Sequence, residues 1–154
     1  DTPAPGDYDG DGKFDFVIQR DDANGVNGRF WKRMNTGEIT SEMFGLKTDQ
    51  VVPGDYDDDG KTDLAVVRDD AGFMRWDFEP SATAGSTVVS DTWGVTATDW
   101  ITAGDYDGDG RTDYAVWRPG SPGRFWIMTV SDRVIFWRDW GEATDAPALY
   151  YSSF

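Results

Sequence analysis

Short apolar runs separated by turn-forming residues set the pattern of this chain. In its middle third they occupy 50–52, 63–68, 73–78 and 87–93, with Asp, Gly, Pro and Ser between them. Runs of this length, rich in Val, Phe, Trp and Thr, predict strands. No stretch of ten residues carries a helical period, so the chain reads as all-β.

The same arrangement occurs three times. Segments 3–20, 51–68 and 101–118 align without gaps, and the loops inside them begin at Asp7, Asp55 and Asp105, 48 and then 50 residues apart. Each is followed by a Gly turn and an aromatic run (Gly28 to Trp31, Gly72 to Trp76, Gly123 to Trp126). Each copy then closes on an aromatic–Gly pair: Phe44-Gly45, Trp93-Gly94 and Trp140-Gly141. Four strands per unit of 40 to 50 residues is the pattern of a β-propeller blade, with solenoid stacking as the competing arrangement. Runs apolar on both faces, Phe16-Val17-Ile18 and Ala115-Val116-Trp117, predict strands buried between blades. The expected architecture is therefore one repeat domain of three four-stranded antiparallel β-propeller-type blades, spanning 1–48, 49–98 and 99–154. Such a set forms a partial propeller or an assembling array.

Composition narrows the chemistry. Aromatic residues make up 15% of the chain, enough to build cores, which argues against disorder. A formal net charge of -15 repels nucleic acid and anionic membranes and attracts cations. No apolar run is long enough to span a bilayer and no leader is visible at Asp1, so membrane insertion is not expected. With no Cys and no His, disulfides, thiol nucleophiles, imidazole bases and most zinc or copper sites drop out. Oxygen donors alone remain for a metal.

Those donors are concentrated in the repeated loop, Asp-x-Asp-x-Asp-Gly-x-x-Asp. The carboxylates are Asp7, Asp9, Asp11 and Asp15 in the first copy, Asp55, Asp57, Asp59 and Asp63 in the second, and Asp105, Asp107, Asp109 and Asp113 in the third. Four carboxylates within nine residues repel one another unless a cation sits among them. Calcium accepts six to eight oxygens at roughly 2.3 to 2.6 Å, which suits alternate inward-pointing residues, whereas magnesium holds its waters and a stricter octahedron. Positions 1, 3, 5 and 9 are the expected carboxylate ligands, and position 7 (Lys13, Lys61, Arg111) the expected carbonyl ligand. Gly12, Gly60 and Gly110 permit the turn. An EF-hand would need Glu at position 12, where Ile18, Val66 and Val116 stand. Asp and Gly also cluster in ordinary hairpin turns, but not three times in one register. Three calcium ions would offset six charges and move the formal net charge from -15 to -9.

With these residues in view, Gly54-Asp55-Tyr56 through Val67 and Gly104-Asp105-Tyr106 through Trp117 resemble the FG-GAP or VCBS repeat, related to the calcium-binding repeats of integrin alpha subunits. The first copy departs at Phe14-Asp15-Phe16-Val17. The resemblance implies a propeller blade with calcium in a strand-connecting loop, in secreted or cell-surface proteins used for adhesion, ligand recognition or scaffolding. Millimolar calcium outside cells fits such loops, so an extracellular location is expected.

Three blades leave two faces uncovered, which allows a fragment of a longer propeller, half of a six-bladed dimer, or a unit stacking head to tail. Asp145-Ala146-Pro147-Ala148 repeats the register of Asp1-Thr2-Pro3-Ala4, and the aromatic tail 150–154 replaces the next loop. Such a tail could pair with an open edge, so self-association is expected, with a glycan or a cell-surface protein as other partners.

Trp31, Trp76, Trp126 and Trp140 are expected in packing between blades. Trp100, Trp137 and, similarly, Trp117 are the candidates for surface recognition of sugars. Arg20, Arg68 and Arg118 close one strand in each copy and are expected to pair with acids. Catalysis is not expected, because every motif carboxylate is assigned to metal. The leading expectation is a calcium-stabilised structural or adhesive module, and the alternative is a lectin-like module with sugars held by Trp and Tyr between blades.

Overall fold

A computed structural model describes residues 1–83 and 85–148. The tail at 150–154 therefore lies outside the described residues. Twelve strands form three separate four-stranded sheets, each antiparallel and each in chain order. The first contains β1 (Thr2–Pro3), β2 (Phe16–Asp21), β3 (Asn27–Arg33) and β4 (Ile39–Leu46). The second contains β5 (Gln50–Val51), β6 (Leu64–Asp70), β7 (Phe73–Glu79) and β8 (Val89–Val95). The third contains β9 (Trp100–Ile101), β10 (Tyr114–Arg118), β11 (Arg124–Met128) and β12 (Ile135–Asp139). The only helical turn among the described residues is the 3₁₀ turn Ser81–Thr83. The expected all-β arrangement of three four-stranded sheets is what the chain adopts.

Two cores hold the sheets together. One joins the first sheet to the second through Val17, Phe30 and Phe44 against Leu64 and Val66. The other joins the second to the third through Ala65, Val67 and Trp76 against Tyr114, Val116 and Met128. Successive residues of a strand point to opposite faces, so Leu64, Ala65, Val66 and Val67 supply both cores in turn and all four are buried. Each fully buried large side chain contributes about 1.5–3 kcal/mol.

The outer sheets break this symmetry. Val17 is buried, but Phe16 is 71% exposed, because no sheet among the described residues covers that face. The expectation that 16–18 is covered on both faces is thus corrected. Ala115, Val116 and Trp117 are buried as expected, with Trp117 donating its indole N–H to the Trp140 carbonyl at 3.0 Å.

The tryptophans also part from expectation. Trp76 pairs with Val67, whereas Trp31 and Trp126 pair with Ile18 and Val116. Ile18 and Val116 align with Val66, so Trp76 is displaced by one residue and faces the other way. Trp76 is buried, and Trp126 packs against the second core. Trp31 (40% exposed) and Trp140 (78%) are surface residues rather than packing residues. Trp100 and Trp137 are exposed as expected, while Trp117 is core.

Candidate metal centre

The Asp-rich loops connect the two-residue first strand of each sheet to the second strand. Isolated bridges Gly6–Asp15, Gly54–Asp63 and Gly104–Asp113 close their necks. Inside each loop the carboxylates hold the backbone in a repeated ladder. Asp7 accepts from the amides of Gly10 (2.7 Å) and Gly12 (2.8 Å). Asp55 accepts from Asp58 and Gly60 at the same distances, and Asp105 from Gly108 (2.7 Å) and Gly110 (3.1 Å). Position 3 accepts from the amide of position 5, and position 5 from that of position 7, in all three copies. The turn needs positive φ at positions 4 and 6. Gly supplies it everywhere except Asp58, which sits at φ 62.

This ladder gathers three carboxylates per loop. Oxygens of Asp7, Asp9 and Asp15 lie within 4.8 Å of one another, as do those of Asp55, Asp57 and Asp63, and of Asp105, Asp107 and Asp113. The position-5 residues Asp11, Asp59 and Asp109, also expected as ligands, fall outside these groups. Asp11 pairs with Lys13 at 3.1 Å, Asp59 accepts from the Ser81 hydroxyl, and the Arg111 amide and Ser131 hold Asp109 below the usual carboxylate range. In the second and third loops the position-7 side chain reaches back to the preceding loop. Arg111 donates to the Tyr56 carbonyl at 3.2 Å, and Lys61 lies against Gly10.

Position 9 has a second role that spacing alone does not reveal. Asp15, Asp63 and Asp113 are at most 2% exposed. One oxygen accepts from the amide of Tyr8, Tyr56 or Tyr106, each at 2.9 Å. The other accepts from the amide of Asn35, Ser81 or Val130, just beyond the third strand. Each carboxylate thus ties its loop to the turn that follows the third strand, at the same end of the sheet.

The electrostatics suit a cation. Among the described residues no Lys or Arg forms an ion pair with any of the nine gathered carboxylates. Burial pushes Asp63 up to about 7, with Asp57 and Asp55 adding to the rise and the Tyr56 and Ser81 amides opposing it. Burial likewise raises Asp113 and, together with the charge of Asp59, Asp57. A buried carboxylate beside two others is the kind of donor set that a hard dication neutralises.

Successive loops are also linked to one another. The Thr62 amide donates to the Asp7 carbonyl, and the Thr112 amide to the Asp55 carbonyl. The sequence signal was a Thr at position 8 in the second and third copies, with Phe14 in the first. A Cβ on Gly6 or Gly54 would lie 2.5 or 2.4 Å from the hydroxyl of Thr62 or Thr112, so both positions must be glycine.

The strand-closing arginines do pair with acids: Arg20 with Asp1 (2.5 Å), Arg68 with Asp49 (2.8 Å) and Arg118 with Asp99 (2.6 Å). Asp49 and Asp99 also cap the preceding turn, accepting from the amides of Leu46 and Val95. No helix among the described residues is long and apolar enough to cross a membrane. Comparison with family models, with curated proteins and with solved structures finds no match.

Proposed function

We propose that this chain is a calcium-stabilised, extracellular structural or adhesive repeat module built from propeller-type blades of the FG-GAP or VCBS kind. The observation that carries the reading is the threefold recurrence of one carboxylate cluster on one backbone ladder. Asp7, Asp9 and Asp15, and their counterparts in the other two loops, would hold the ion. Asp11, Asp59, Asp109 and the carbonyls of Lys13, Lys61 and Arg111 stand next in the loop. Bound calcium supplies charge neutralisation, and this chain's residues supply a preformed turn.

Function in this reading is mechanical. Each loop anchors the second strand of its sheet, and the first and second also touch the loop that follows, so a filled site stiffens the joint between sheets. A ligand that binds only the folded state raises stability in proportion to the logarithm of its concentration. Thermal melting with calcium, then with excess chelator, tests this. A melting temperature unchanged by millimolar calcium overturns the ion assignment.

A second reading, a glycan-binding module, draws on Trp137. Its ring is half exposed, lies 5.6 Å from that of Trp126, and has the Arg124 guanidinium 5.9 Å away. Flat aromatic rings beside an Arg suit a sugar face and its hydroxyls. A glycan array with native and Trp137→Ala protein separates the two readings, since a purely structural module binds nothing on it.

A further inference from the structure

Among the described residues there are two complete joints between sheets, and each outer sheet keeps one face that no described sheet covers. In each complete joint, the incoming sheet presents apolar residues of its second strand. These are Leu64 and Val66 in one joint and Tyr114 and Val116 in the other, all buried. The aligned residues of the first sheet are Phe16 and Ile18. There Phe16 (71%), Ile39 (65%) and Trp31 (40%) are exposed around a groove of about 430 Å³ that also takes in Ile18. Trp126, the counterpart of Trp31, packs against the core of its joint. The first sheet therefore carries the incoming face of a joint, with no sheet among the described residues to receive it.

The third sheet carries the receiving half, open at its loop end, while Ala115, Trp117 and Ile127 on its strand face are at most 2% exposed. In the complete joints, the glycine before the loop lies against a Thr of the incoming sheet. Gly104 meets only its own Tyr106, at 3.5 Å. The carbonyls of Asp7 and Asp55 accept from the incoming sheet, while that of Asp105 has no such partner among the described residues. Tyr106 is 40% exposed, against 8% for Tyr8 and 1% for Tyr56.

A charge marks the same place. Asp145 accepts from the Glu142 amide at 2.9 Å, as Asp49 does from Leu46 and Asp99 from Val95. Asp49 and Asp99 each hold an arginine of the following second strand, Arg68 or Arg118. Among the described residues Asp145 holds none. The arginine at that position on the first sheet is Arg20, now paired with Asp1.

We propose that a second copy of this chain docks its first sheet onto the third sheet, repeating the two internal joints, with Arg20 of the second copy passing from Asp1 to Asp145. Residues 145–148 then take the first-strand place beside the second copy's Ile18 and Gln19, where residues 1–4 lie in the single chain. The two segments differ only at Thr2 against Ala146. β1 pairs with β2 at two positions, and the incoming Ala148 would also take over the bonds that buried Ala4 makes with Val17 and Tyr8. Phe14, which has no hydroxyl, brings its backbone amide to the Asp105 carbonyl. A contact between unlike faces propagates into a ring or a filament.

This inference rests on the repeat-module reading above but not on its metal chemistry. The test is sedimentation velocity of the full chain over a range of concentrations in calcium, with calcium binding measured on the same samples by titration calorimetry. The expected result is a mass that rises with concentration. Phe16→Asp and Gly104→Ala should each weaken association by about tenfold or more. Gly104→Ala has room in the single chain, so its melting temperature should be unchanged. Asp145→Arg should also weaken association, and adding Arg20→Asp to the same chain should restore it. A monomer at every concentration overturns the proposal, as does association that survives Phe16→Asp and Gly104→Ala, which would point to pairing at the sheet edges. Failure of the charge exchange to restore association overturns the Arg20–Asp145 pairing. Association without calcium binding would sink the ion assignment and leave this joint standing.

Discussion

Asp7 and Thr62, 55 residues apart, exchange two hydrogen bonds: the Asp7 amide donates to the Thr62 hydroxyl at 2.9 Å, and the Thr62 amide donates to the Asp7 carbonyl at 2.6 Å. The pair fastens the first loop to the second at the point where both turn toward their carboxylates. Thr62→Val keeps the shape and leaves the Asp7 amide unpaired, so it should cost about 1–2 kcal/mol by urea denaturation. Thr112 meets Asp55 through its backbone amide, at 2.5 Å. Thr112→Val should therefore cost less than Thr62→Val, and an equal loss would show that both hydroxyls serve the joints.

Glycine at the joints gives a sharper contrast. Gly54→Ala places a methyl group 2.4 Å from the Thr112 hydroxyl and forces the second and third sheets apart. Overpacking of this kind costs about 1–3 kcal/mol. Gly104→Ala meets nothing closer than 3.5 Å and should leave the melting temperature of the single chain where it was. Equal effects of the two changes would contradict the described packing.

The pH response in chelator follows from Asp63. Its carboxyl stays protonated up to about 7 in the folded chain because of burial, but ionises near the ordinary 3.8 when unfolded. A raised carboxylate penalises the fold progressively as pH climbs from the unfolded value through the folded one. Metal-free protein should therefore resist urea better at pH 5 than at pH 8. Calcium requires the ionised form, so its apparent affinity should rise across the same window. A metal-free stability that increases from pH 5 to pH 8 would rule out this role for Asp63.

Arg118 and Asp99 set the acid limit from the opposite direction. Burial works against the Asp99 charge, but the Arg118 guanidinium and the donors of Val95 and Thr98 outweigh it and hold the carboxyl below its usual range. A lowered carboxylate stabilises the fold above its unfolded value, and that contribution is lost as pH falls through the folded one. Arg118→Ala leaves the fully buried Asp99 side chain without its cation. Because Arg118 is itself partly exposed, the expected loss is about 2 kcal/mol at neutral pH. It should shrink in acid, which urea melts at pH 7 and pH 3 would show.

The amino-acid sequence by itself determined the repeat, the strand pattern and the choice of oxygen donors, because each depends on residues close together in the chain. In the second copy, strands expected at 63–68 and 73–78 form at Leu64–Asp70 and Phe73–Glu79. The carboxylates at positions 1, 3 and 9 meet as their spacing suggested. Tertiary structure alone decided what each face touches. Trp31 and Trp76 look equivalent in sequence, yet a one-residue difference in strand pairing turns one outward and the other into the core. Asp15, Asp63 and Asp113 look like loop ligands only, yet their second oxygen accepts from an amide just past the neighbouring third strand. The Asp-rich loops are local and so can be read from the chain, whereas the joint at Thr62 joins residues 55 positions apart and exists only once the sheets have packed.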